Sequence, residues 1–134
     1  MIKKISLLFV IAALAMTTSC KKEGPITETE MTFENQIHDF GTITQGDKVV
    51  YDFKFKNTGK SDFLITKAKG SCGCTVPKYP KDAIEPGGEG VIKVSFNSAG
   101  KIGETSKSVT LLCNVKEGAK ILYIKSNIIP KGAK

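Results

Sequence analysis

The chain is 134 residues long and carries a formal charge of +7, with twenty basic and thirteen acidic side chains, one histidine, four cysteines and no tryptophan. That length suits one domain with a single core rather than two. Every basic residue is a lysine, and the lysines are spread along the whole chain; bidentate reading of phosphates and bases relies on arginine, so the charge describes solvated strand faces and loops and argues against a nucleic-acid partner.

Lys3 and Lys4 precede an apolar run from Ile5 to Met16 that is broken only by Ser6. As a helix this run reaches roughly 18 Å, against roughly 30 Å of bilayer hydrocarbon, so it is too short to span and has the length of a signal-peptide core. Thr17-Thr18-Ser19 then lead to Cys20. This segment resembles the bacterial lipobox, in which the cysteine becomes the lipidated first residue, although Thr17 stands where Leu, Val or Ile is usual. The resemblance implies a signal peptide over 1–19 and a lipid on Cys20; the alternatives are ordinary secretion with Cys20 incidental and an uncleaved anchor. Several acyl chains hold a protein to a membrane stably where one does not. The expected location is therefore the bacterial cell envelope, anchored through the N-terminal lipid and facing the periplasm or the cell surface. Without Lys3 and Lys4 the charge falls from +7 to +5. Residues 20–30 show no apolar periodicity and read as a short polar leash.

From Met31 onward the pattern changes to short alternating runs. A strand or pair is expected around Thr32-Phe33-Glu34 and His38-Asp39-Phe40. Val49, Tyr51, Phe53 and Phe55 alternate with Val50, Asp52, Lys54 and Lys56, a strand with one wet face. Asn57-Thr58-Gly59-Lys60-Ser61 is a turn cluster. Phe63 to Lys69 forms the next strand, and a loop holding Pro77, Pro80 and Pro86-Gly87-Gly88 follows the cysteine pair. Ile92, Val94 and Phe96 mark another strand, Val109, Leu111 and Cys113 another, and Leu122, Ile124 and Ile128 the last. No window predicts an amphipathic helix. The fold class is all-β: an Ig-like antiparallel β-sandwich of about seven strands over residues 31–134. The Cys…Trp…Cys hallmark of antibody domains is missing, so core packing must hold the two sheets.

Asp39-Phe40-Gly41-Thr42-Ile43, Gly46, Phe53 to Gly59 and Leu64-Ile65 together resemble a hydin-like Ig module. With Ser71-Cys72-Gly73-Cys74-Thr75 and Pro86-Gly87 added, the chain is similar to the bacterial family called domain of unknown function 1573, over about Phe33 to Ile129. Cys113 departs from the family, which more often has a small polar residue there. The resemblance implies a fold, an envelope location and no established activity. Physically, its motif residues Phe40, Gly41, Asn57, Gly59, Thr75, Pro86 and Gly87 read as structural. Gly41 and Gly59 suit positive φ or tight turns, Asn57 ties a strand end to turn backbone, and Pro86-Gly87 resets the chain before the Ile92 strand.

Cys72 and Cys74 are the one constellation able to carry chemistry. In an extended segment their Cα atoms lie about 6.6 Å apart with both side chains on one face, near the upper limit for a disulfide. A turn at Gly73 would bring them together. Three states are open: a reducible disulfide, thiolates holding a soft metal such as Cu(I) with Cys113 or His38 as third ligand, or reduced packing thiols. An antiparallel arrangement of the Phe63 and Val109 strands puts Cys72 near Thr105 and away from Cys113, which reads as a buried small hydrophobe. His38 reads as a surface or hydrogen-bonding residue. No catalytic set and no resident cofactor are expected. The leading expectation is a non-enzymatic, lipid-anchored interaction domain whose partner is a protein or an envelope polymer. The alternative is thiol redox or copper handling through Cys72-Gly73-Cys74.

Overall fold

A computed structural model describes residues 27–132. The signal segment and Cys20 lie outside the described residues. Eight strands follow in order: β1 (Met31–Phe33), β2 (Ile37–Thr44), β3 (Lys48–Asn57), β4 (Ile65–Gly70), β5 (Thr75–Lys78), β6 (Glu89–Asn97), β7 (Gly103–Cys113) and β8 (Ala119–Ile129). They form two four-stranded sheets, β1-β3-β6-β5 and β2-β8-β7-β4. The all-β sandwich expected from the alternation is the fold, and the sheet order matches the A-B-E-D and A′-G-F-C arrangement of Ig-like domains.

The strands form where the alternation is cleanest, because one face can then enter the core. Phe53, Phe55, Phe63, Ile92, Val94, Phe96, Val109, Leu111, Leu122 and Ile128 are essentially inaccessible to solvent. Phe55 and Phe63 meet edge to face with ring centres 5.3 Å apart, joining strand β3 to the segment entering β4. Each buried side chain of this size contributes roughly 1.5–3 kcal/mol of transfer free energy. Gly90 lies opposite Phe55 on β6, and a Cβ there would collide with the Phe55 ring.

Three features differ from expectation. First, the sandwich is not wholly antiparallel: the chain switches sheet at Asn35-Gln36, and β2 then runs parallel to β8. Second, part of the expected loop after the cysteines is a strand, since β5 pairs with β6 from Thr75↔Phe96 to Lys78↔Lys93. Pro77 disguised it, but β5 is an edge strand, where a missing N–H costs no ladder bond. Third, the far end of the leash joins the domain. Thr29 is buried and its amide donates to the Asn114 carbonyl at 2.9 Å.

The ends of the sandwich are fastened differently. At one end Asn57 is fully buried. Its side-chain amide donates to the Ser61 and Ile84 carbonyls, both at 2.8 Å, while its oxygen accepts from the Thr29 hydroxyl and the Gly59 amide, both at 3.1 Å. Asn114 does similar work beside it, accepting from the Leu64 amide at 2.7 Å and donating to the Thr27 and Asp62 carbonyls at 2.8 Å. Phe63 and Ile84 exchange backbone hydrogen bonds there, both at 2.8 Å. The opposite end holds the β4–β5 crossover with the cysteine pair.

Candidate functional site

The crossover runs from the edge strand of one sheet to the edge strand of the other. β4 and β7 are antiparallel, with Gly70 opposite Val109. The ladder continues through the Ser71 amide to the Ser108 carbonyl at 2.8 Å, and the Ser108 amide returns a bond to the Ser71 hydroxyl at 3.1 Å. The chain then turns, with the Thr75 amide donating to the Cys72 carbonyl at 3.2 Å, and enters β5, where the Asn97 amide donates to the Cys74 carbonyl at 2.9 Å. Gly70 makes the turn compact. A Cβ on it would overlap the Thr75 carbonyl oxygen, so only glycine lets the end of β4 and the start of β5 touch.

Inside this turn Cys72 and Cys74 are joined by a disulfide, with Cα atoms 5.2 Å apart, closer than in an extended strand. Both residues are half-buried and Gly73 between them is exposed. Gly73 does not have a positive φ, and a Cβ on it would meet nothing within 4 Å. The turn therefore does not depend on the conformational freedom of glycine at that position, contrary to the expectation. Thr75 is buried, and its hydroxyl lies 3.6 Å from Cys72 Sγ and 3.8 Å from Cys74 Sγ, so one hydroxyl serves both sulfurs.

The other thiol and the imidazole are elsewhere. Cys113 pairs with Ile65 at the start of β4, five residues before Gly70 and so roughly 17 Å along the strand from the crossover. It is buried, burial pushes its thiol pKa up, and its Sγ lies 3.7 Å from the Leu111 carbonyl. It packs as a small core residue. His38 lies on β2, stacked on Tyr51 with ring centres 3.6 Å apart and edge-on to Phe40 at 4.6 Å. It is half-buried and packs its ring between the sheets at the surface-facing flank. Neither supplies the third ligand of the copper reading. Among the described residues no group of three or more His, Cys, Asp or Glu side chains is placed to hold a metal ion.

The motif residues divide by cause. Gly41 has φ +70° and sits in a bulge of β2 between Asp39 and Thr42, where its amide bonds the Asp39 carboxylate at 2.8 Å; it is a kink within a strand rather than a turn after one. Gly59 lacks a positive φ and is needed instead because a Cβ would strike the Thr29 hydroxyl and the Glu30 amide. Gly87, at φ +81°, follows Pro86 in the turn that donates to the Asn57 carbonyl at 2.8 Å. Phe40 packs against the core. Gly70, Thr29, Asn114 and Ser98 were not singled out by the sequence. Ser98, fully buried, holds the β2–β3 turn near the crossover, with its hydroxyl 2.8 Å from the Asp47 carbonyl. The polar-to-buried switch at these positions leaves no periodic trace; a glycine at a strand end was the one usable signal.

Together these features define an Ig-like, PapD-like sandwich with a disulfide-bonded crossover at one end. The chain belongs to DUF1573, a family of proteins of unknown function, whose model matches residues 31–128. Among solved structures it is similar to a protein of unknown function from Porphyromonas gingivalis W83, with a TM-score of 0.66 and 12% identity over 81% of this chain and 51% of that one. It is also similar to the ASH/PapD-like domain 7 of human CEP192, with a TM-score of 0.60 and 12% identity over 98% of this chain and 100% of that domain. The secreted serine protease VesC from Vibrio cholerae matches with a TM-score of 0.58 and 13% identity, over 75% of this chain and 23% of the protease. The chain thus spans about half of the first of these proteins and a quarter of the last. At these identities the likeness concerns the fold. No curated protein matches the chain.

Proposed function

We propose that this protein is a lipid-anchored component of the bacterial envelope whose Ig-like domain serves as a non-enzymatic interaction module. The observation that carries the reading is the placement of Cys20 at the end of a basic-then-apolar signal segment, followed by a domain of a family without known activity. The sandwich supports the second half of the reading. On the outer face of the β2-β8-β7-β4 sheet, Ile37 pairs beside Tyr123, with Ile121 and Leu112 further along, and all four are exposed. Such a surface suits contact with a protein or an envelope polymer. The lipid supplies location and the sheets supply recognition.

The test is fractionation of cells expressing the full chain or its Cys20→Ala variant. The wild type should remain with membranes and the variant should be released or mislocalised. A variant that stays on the membrane would overturn the anchoring. Turnover of an ester or glycan substrate by the purified protein, abolished by one point change, would overturn the non-enzymatic assignment.

A further inference from the structure

We propose that Cys72 and Cys74 form a reversible dithiol–disulfide site that exchanges electrons with a partner dithiol, a role separate from anchoring and surface recognition. Four observations converge on the crossover. The disulfide is half-buried rather than sealed in the core. Thr75 Oγ1 reaches both sulfurs, at 3.6 and 3.8 Å. The strands running into and out of the turn are basic: Lys67 and Lys69 on β4 and Lys78 on β5 are exposed, and no acidic residue occurs from Phe63 to Lys81. Finally, the turn is held without its sulfurs, by the Ser71–Ser108 bonds, the Thr75-to-Cys72 and Asn97-to-Cys74 backbone bonds and the close approach of Gly70 to Thr75.

These features suit both redox states. A hydroxyl donor favours a thiolate over a thiol, and lysines on the flanking strands act in the same direction at low ionic strength. A turn held by its own backbone keeps the two sulfurs adjacent after reduction, so reoxidation needs no search. The two sulfurs differ in surroundings, since Cys74 packs against the core and Cys72 stands outside that packing. The partner's thiolate therefore attacks Cys72 Sγ. The Cys72–Cys74 bond breaks, a mixed disulfide forms at Cys72, and Cys74 leaves as a thiolate beside the Thr75 hydroxyl. The partner's second thiolate then attacks the partner's own sulfur in the mixed disulfide and expels Cys72. Two electrons pass from the partner dithiol to the pair, the partner closes its disulfide, and the two protons from its thiols end on Cys72 and Cys74. In reverse the reduced pair reduces a partner disulfide.

The test uses the full-length chain in mild detergent, equilibrated with mixtures of reduced and oxidised dithiothreitol, alkylated, and mapped by peptide mass. Cys72 and Cys74 should become reactive together in one two-electron transition, with the β-sheet circular dichroism retained and Cys113 unmodified. A pair that resists reduction until the domain is denatured would overturn the proposal. So would reduction that coincides with loss of the β-sheet signal, which would make the bond a structural staple. Thr75→Val should slow reduction by roughly three- to tenfold while Thr75→Ser stays within roughly twofold of wild type; equal rates in all three would remove Thr75 from the mechanism. A readout on the unmodified protein tests the lysine field. Mercaptoethanesulfonate should outpace neutral 2-mercaptoethanol at low salt, and the advantage should vanish at high salt; equal salt response of the two thiols would refute the electrostatic part. Because the exchange depends on the crossover alone, its failure leaves the fractionation result for Cys20 untouched.

Discussion

The two ends of the sandwich solve one problem with opposite chemistry. At the Asn57 end a neutral amide fills all its hydrogen-bonding positions in a dry setting, drawing in Thr29, Gly59, Ser61 and Ile84. At the crossover end a covalent bond joins two residues that are only two positions apart in sequence. The covalent fastening is the weaker of the two for the fold. A disulfide stabilises largely by restricting the unfolded chain, and one closing a three-residue loop restricts little. A buried amide with every bond made is costly to disturb: its partners each keep one other bond, but the four bonds that tie these segments together are lost where water cannot replace them. The contrast separates a fixed end from one that can change state.

The largest effect should come from the fixed end. Asn57→Ala removes four hydrogen bonds at once, although the Ile84 and Ser61 carbonyls, the Gly59 amide and the Thr29 hydroxyl each keep one other partner, and it should lower unfolding free energy by about 2–4 kcal/mol. Urea denaturation would measure it. A loss below about 1 kcal/mol would mean that water replaces the amide and that the end is not fixed in the sense argued. Next is Gly70→Ala at the crossover, where the new Cβ meets Thr75 backbone rather than a movable side chain. It should cost about 1–3 kcal/mol, and it should also displace Thr75 from the sulfurs, so its effect on disulfide reduction should exceed its effect on stability.

The difference between these ends also explains what the sequence reveals. Val49 to Phe55, Ile92 to Phe96 and Val109 to Cys113 announce their inward faces by alternation, because burial in a sheet has period two. Asn57 was legible as a strand-end residue, but its partners Thr29 and Ile84 lie 28 and 27 positions away, and no local pattern encodes such a meeting. Gly59 was expected to serve a positive φ or a tight turn and Gly70 was not singled out, because the reason for each is a close approach of another segment that no local pattern encodes. Pro77 hid β5 because a proline argues against a strand until the strand is known to lie on an edge. The cysteine spacing alone left disulfide, metal and free thiols open. The fold brings Cys72 and Cys74 within bonding distance and places Cys113 and His38 on other strands, away from the pair, and neither fact is written in the spacing.

Smaller effects belong to the changeable end. Replacing both cysteines with serine should cost about 1–2 kcal/mol, the amount that the chain-entropy relation assigns to so short a loop, with the fold retained by circular dichroism. A loss comparable to that of Asn57→Ala would erase the comparison and make the crossover a structural staple. Gly73→Ala should fall within about 0.5 kcal/mol of wild type, because its backbone lies outside the positive-φ region and its Cβ position is open. Reduction kinetics close to wild type in that variant would place the control of the pair in Thr75 and Gly70 rather than in the intervening glycine.

The smallest effect should come from neither end but from the open flank between them, where His38 of β2 stacks on Tyr51 of β3. Burial lowers the His38 pKa below its usual value of 6.5, while Asp39 pulls it back up. The lowered value means that the folded state binds this proton less readily than the unfolded chain does. Stability from the neutral imidazole is therefore complete above pH 6.5 and declines as the pH falls through the lower folded value. An imidazolium over the Tyr51 ring would gain cation–π attraction, which opposes this trend and keeps it small. Denaturation midpoints between pH 7.5 and pH 5 should show a slight fall that disappears in His38→Phe, which keeps an aromatic ring against Tyr51. A midpoint that rises on acidification in the wild type would show the cation–π attraction to be the larger force. The flank would then be a third fastening in its own right, tightened by the proton.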